Sequence, residues 1–146
     1  MKRHAPFCLA LCCAIAGGCS PIPYDARADQ QIETLTRDLD SRVIAWRIRA
    51  EDGGAAIPYD AGFYAAIEAQ LAGLRIRIGA AAGRSNQDIG TTLASLGAQI
   101  DRLRRLHRQQ NTLDAPFLAA ELQLLNAQLS TLTTYELALK NGAPAR

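Results

Sequence analysis

Ile89-Gly-Thr-Thr-Leu93-Ala-Ser-Leu96-Gly-Ala-Gln-Ile100-Asp-Arg-Leu103-Arg-Arg-Leu106 is the stretch whose reading decides the fold. Its large aliphatic residues recur at intervals of three and four, and the positions between them are small, polar or cationic. Only a helix of about 3.6 residues per turn gathers such a series onto one face. A strand would need alternation with period two. The reading therefore gives an amphipathic helix over 86–110, with Ser85 and Asp88 as a capping-box variant at its start.

The same rhythm extends in both directions. Upstream, Ile32, Leu35, Leu39, Val43, Trp46 and Ala50 mark a helix over 26–50, capped by Asp25 and ended by Gly53-Gly54. Glu33/Arg37 and Asp38/Arg42 add acid-before-base pairs at i,i+4. A second helix over 61–82 begins after Asp60, with Tyr59 placed to staple onto Tyr64. Its stripe is Phe63, Ile67, Leu71, Leu74, Ile78 and Ala81, and Gly83 stops it. Downstream, Asp114 caps a helix over 115–140, with Leu113 placed to staple onto Leu118 and Pro116 tolerated in the first turn. Leu118, Leu122, Leu125, Leu129, Leu132 and Leu139 line that helix. Leu124 and Leu137 widen the face, so this helix is expected to be the most buried. Asn141-Gly142 supplies its stop.

Four such helices joined by short connections predict an all-α fold, an antiparallel up-down-up-down four-helix bundle spanning 26–142, with 143–146 as a tail. Asp60-Ala-Gly-Phe-Tyr-Ala-Ala66 and Asp114-Ala-Pro-Phe-Leu-Ala-Ala120 agree at five of seven positions. Duplication of a helical hairpin and the same capping chemistry reached twice both account for this.

The N-terminus differs from the body. Lys2, Arg3 and His4 precede an apolar run from Ala5 to Ala16, followed by Gly17, Gly18 and Cys19. A basic start, a short apolar run and small residues form the pattern of a secretory signal. The run is too short to cross a bilayer, which takes about 20 apolar residues. Ala16-Gly17-Gly18-Cys19 resembles the lipobox of bacterial lipoproteins, with Ala16 where that family usually has Leu. The resemblance implies cleavage before Cys19, a diacylglyceryl group on its sulfur and an acyl chain (palmitate-type) on its new N-terminus. Ser20 after the Cys implies, under the family's sorting rule, an outer-membrane address facing the periplasm. On this reading residues 1–18 are the signal, 19–25 a tether stiffened by Pro21 and Pro23, and the bundle hangs from the lipid. Ala14-Ile15-Ala16 and Ala26-Arg27-Ala28 also present the A-x-A pattern of ordinary signal cleavage, so simple secretion stays open.

Removing residues 1–18 changes what chemistry is on offer. The chain has 16 Lys+Arg and 14 Asp+Glu. Lys2 and Arg3 leave with the signal, so the mature part is balanced and gives no electrostatic case for nucleic acid or anionic lipid. Cys8, Cys12 and Cys13 leave too, and Cys19 is consumed by lipid, so neither a disulfide nor a thiolate metal site is expected. His107 then remains as the one histidine, without the Glu-x-x-His pairs of a di-iron bundle and without a methionine for haem. No G-x-S-x-G elbow or phosphate loop is present. Leu132-Thr-Thr-Tyr-Glu136 lacks the Gln of the LTxxQ motif carried by periplasmic helical chaperones, so that activity is not inferred. The expected cofactor and metal content is none, and the expected class is non-enzymatic.

Among the polar groups, Arg104, Arg105 and Arg108 share a flank away from Leu103, with Asp101 placed to pair with Arg104 or Arg105; they form the candidate patch for an anion or an acidic partner, a solvated helix face near the C-terminus being the alternative. His107 is expected at the core boundary. Glu136 continues the Leu129/Leu132/Leu139 stripe and is expected at its edge, with Tyr135 inside, because an unpaired buried carboxylate is costly. Trp46 is expected in the core. The function expected is a membrane-anchored envelope lipoprotein, an interaction or structural module that contacts another envelope protein or component. The alternatives are an immunity- or inhibitor-type lipoprotein acting on a toxin or hydrolase, and a carrier bundle for a small ligand or metal.

Overall fold

The computed structural model describes residues 24–53, 56–82, 87–110 and 112–142. Four helices carry them: α1 (Ala26–Glu51), α2 (Ala61–Ala82), α3 (Gln87–Gln110) and α4 (Ala115–Lys140). The expected signal, Cys19, most of the expected tether, Gly54, Gly83, Ser85, the side chain of Ala81 and the expected 143–146 tail lie outside the described residues.

Three helices start on aspartate, as the local sequence requires. The Asp25 carboxylate accepts from the Arg27 amide at 2.9 Å, Asp60 from the Phe63 amide at 2.9 Å and Asp114 from the Phe117 amide at 2.7 Å. Each bond satisfies one of the amides that a helix start leaves without a partner. The Tyr59 and Tyr64 rings stack at 5.5 Å across the α2 start, which is the expected staple. At the far end of α4, Gly142 takes φ +67°, a conformation that L side chains resist, and its amide donates to the Leu139 carbonyl at 3.1 Å.

Cross-helix contacts give the topology. Asp60, Gln70 and Arg77 of the α2 region meet Arg42, Asp38 and Asp25 of the α1 region in reverse order, so the two run antiparallel. Gln99 and Arg102 of α3 meet Gln128 and Glu121 of α4, again in reverse order. Packing closes the square through α1–α4, the most extensive contact, and α2–α3. The molecule is the antiparallel four-helix bundle that the periodicity predicts.

The core holds Ile32, Leu35, Leu39, Val43 and Trp46 from α1, Ile67, Leu71, Leu74 and Ile78 from α2, Leu93, Leu96, Ile100 and Leu103 from α3, and Leu118, Leu125, Leu129 and Leu132 from α4. Three expectations need correction. Leu124 and Leu137 are 49% and 48% exposed, so they do not widen the buried face of α4. Tyr64 rather than Phe63 enters the core on α2, and Phe63 sits at the edge with the Arg42 guanidinium 5.2 Å above its ring. Leu106 is only partly buried, because the next core position on α3 belongs to His107.

Candidate functional site

Four groups of polar side chains concentrate the chemistry of the bundle. The first lies at the end away from the tether, where the segment between α1 and α2 packs over α3. His107 is fully buried, a correction to its expected boundary position. Its Nε2 lies 2.8 Å from the Ile57 carbonyl and its Nδ1 3.1 Å from the Tyr64 hydroxyl. A carbonyl can only accept, so in the neutral ring the proton sits on Nε2, and Nδ1 accepts from Tyr64. Trp46, Tyr59 and Tyr64 surround the imidazole, with ring centroids 4.9 to 5.9 Å away. Burial pushes the Tyr64 phenol well above its ordinary range, which keeps it a hydrogen-bond donor. The result is a clamp: a side chain of α3 holds the backbone of a loop fifty residues earlier.

The second group bridges α3 and α4. Glu121 is 3% exposed; its Oε2 accepts from Gln99 Nε2 at 2.8 Å, and its Oε1 accepts from Arg102 Nη2 at 3.3 Å. Gln128 Nε2 in turn donates to Gln99 Oε1 at 3.3 Å. This ladder turns a buried charge into a paired one, since the Arg102 guanidinium reaches in from a largely exposed position.

The third group lies at the tether end. Glu136 is only 2% exposed, which overturns its expected place at the edge; Tyr135 is buried beside it. Glu136 Oε2 has no hydrogen-bond partner among the described residues. Burial, with the nearby carboxylates of Asp29 and Asp25, pushes the Glu136 carboxyl up to about 7. Asp29 accepts from the Tyr24 hydroxyl at 2.7 Å, and Lys140 approaches Asp29 at 4.0 Å and the Tyr24 ring at 5.7 Å. The bond to Asp29 raises the Tyr24 phenol to about 12.

The fourth group contains the arginines that the sequence singles out. Arg104 pairs with Asp101 and, at 3.2 Å, with Glu68 of α2; Arg105 also pairs with Asp101. The Arg104 hydrogen bond holds the Asp101 carboxyl below the usual carboxylate range, and that bond and Glu68 raise Arg104. Of the three, only the exposed Arg108 stands outside these contacts. The flank is thus a locally neutralised network that ties α3 to α2 through Arg104, rather than three free cations.

Glu121, Gln99 and the full burial of His107 escape a reading based on residue type. Spacing could have found His107: Ile89, Leu93, Leu96, Ile100 and Leu103 alternate by four and three, and the next step of four is His107. The described residues contain no group of three or more His, Cys, Asp or Glu able to hold a metal ion, and no helix among them is long and apolar enough to cross a membrane. No protein family, curated protein or solved structure matches the chain.

Proposed function

We propose that the chain is an envelope lipoprotein, held to the membrane through Cys19, whose bundle serves as a non-enzymatic interaction module. The observation of the structure that supports this reading is where the folded unit begins. The Asp25 cap and the Tyr24–Asp29 bond open the bundle within six residues of Cys19. Processing before Cys19 leaves that start intact. Processing after Ala28 would remove the Asp25 cap, Tyr24 and the buried Ala28, and so strip the first turn of α1. Ordinary cleavage after Ala16 would leave the same start intact, so the fold start argues against the Ala28 site alone, and the lipobox resemblance carries the lipidation. Two acyl signals suffice for stable anchoring, and the 19–25 tether spans at most about 25 Å.

The non-enzymatic part of the proposal draws on His107. The one titratable imidazole of the body has both ring nitrogens committed to structural bonds inside the core. A general base must reach its substrate's proton, and this one reaches only Tyr64 and Ile57. The partner contact proposed at the α3 flank narrows to Arg108. Fractionation of cells making the chain or its Cys19→Ala variant tests the anchor, with crosslinking and pull-down from the envelope run in parallel. Wild type is expected in the membrane fraction with a reproducible envelope partner, and the variant in the soluble periplasm. Wild type found soluble would overturn the proposal.

A further inference from the structure

Glu136 stands one turn before the end of α4, 2% exposed and with its Oε2 unpartnered among the described residues. None of the elements around it supplies a cation to that oxygen. From the start of α1 it faces the carboxylates of Asp25 and Asp29 and the phenol of Tyr24. Arg77 of α2 is directed at Asp25, 3.7 Å away, and Lys140 of α4 at Asp29, 4.0 Å away. Arg27 is exposed. Asp88, also exposed, is the one charged side chain in the first three turns of α3. A carboxylate buried without a partner costs far more than the neutral acid, and burial with the two aspartates holds this group protonated up to about 7.

The same stretch of α4 is weakly held. Leu132 is its last fully buried aliphatic side chain. Beyond it Tyr135 and Glu136 are buried, Leu139 is partly so and Leu137 is half-exposed. The stop at Gly142 bonds back to Leu139, within the helix itself, and does not tie α4 to a neighbour. The Lys140–Asp29 pair to α1 is a long contact between partly exposed groups. The opposite end of the bundle is closed differently, by the buried aromatic cluster and the His107 bond to the Ile57 carbonyl. Helix ends with few buried apolar contacts open at much lower free energy than the whole domain. Detaching the last two turns or so of α4 brings the Glu136 carboxylate into water while the aliphatic core stays packed.

We propose that Glu136 is a proton latch: protonated, it keeps residues 133–142 docked on the bundle, and on ionisation that segment detaches while the rest of the bundle stays folded. Detached, Glu136 keeps its proton only up to the ordinary value of 4.5; docked, it keeps it up to about 7. Opening therefore grows as pH rises between those values and levels off above the higher one. From pH 6 to pH 8 the opening constant rises about tenfold. The latch closes in acid and loosens in alkali. It belongs to the bundle alone and does not depend on Cys19 being lipidated.

Hydrogen exchange of the full chain in maltoside micelles, followed by NMR at pH 6 and pH 8 in urea below the unfolding transition, tests it. After correction for intrinsic exchange rates, amides within 133–142 are expected to lose about tenfold in protection from pH 6 to pH 8, with little dependence on urea. The amides of Leu96, Ile100 and Leu125 are expected to depend steeply on urea, because they exchange only when the whole bundle unfolds. Glu136→Gln is expected to abolish the loss of protection with pH at 133–142. No loss in wild type, an undiminished loss in Glu136→Gln, or the same steep urea dependence at 133–142 as in the core would each overturn the proposal. Carbon-13 titration of the wild-type Glu136 carboxyl needs no variant. A midpoint near 7 supports the latch, and a midpoint near 4.5 overturns it.

Discussion

At Glu136 the bundle keeps a carboxyl group inside, with one oxygen lacking any partner and two aspartates nearby. Both features disfavour its charged form. Its folded value of about 7 exceeds the 4.5 of an ordinary glutamate, so between those values the folded state holds a proton that the unfolded chain releases. Stability is therefore fully present below about pH 4.5 and falls as pH rises through 7, by an order of 1–3 kcal/mol at the upper end. Glu136→Gln removes that slope. Urea unfolding at pH 5 and pH 8 should show a larger difference for wild type than for the variant; equal differences would contradict the assignment. His107 makes the opposite case, a buried polar ring with every nitrogen satisfied. Tyr64→Phe removes the donor to Nδ1 and should cost about 1–3 kcal/mol in the same assay, with the helical signal retained.

Between helices, the Gln99–Glu121 pair decides how α3 meets α4. Glu121→Leu alone leaves Gln99 without its acceptor and should destabilise by about 1–3 kcal/mol. Replacing both with leucine removes the polar groups together and should recover most of that loss, because a packed aliphatic pair equals or exceeds a buried polar one. A double-mutant cycle in urea checks the coupling, and simple additivity would show that the two do not act as a unit. These elements also show how far local sequence reaches. Asp25, Asp60 and Asp114 were legible as caps because a cap is a bond within three residues. The 3-4 spacing was legible because a helix face is a local geometry. The Asp101–Arg104 pair is legible for the same reason, but Glu68, the second partner of Arg104, is not, since tertiary packing alone brings it near. Polarity places Glu136 and His107 at the core boundary, although their spacing puts them inside. There position on the stripe outweighed residue type.

Over the whole molecule the two ends differ in chemistry. The tether end gathers Tyr24, Asp25, Asp29, Glu136, Arg77 and Lys140, a set of coupled charges around a titrating carboxyl. The far end, roughly 30 Å away along α1, is closed by Trp46, Tyr59, Tyr64 and His107. On the proposed reading, an anchor at Cys19 would put the charged end toward the headgroups and the segment between α1 and α2 toward the envelope space where a partner would meet it. That orientation rests on the anchor, and intact-mass and N-terminal peptide mass spectrometry of the membrane-extracted protein tests it most directly. The expected product lacks residues 1–18 and begins at Cys19 carrying a diacylglyceryl group and an N-acyl chain. A mature protein that begins elsewhere, or an unmodified Cys19, would contradict it.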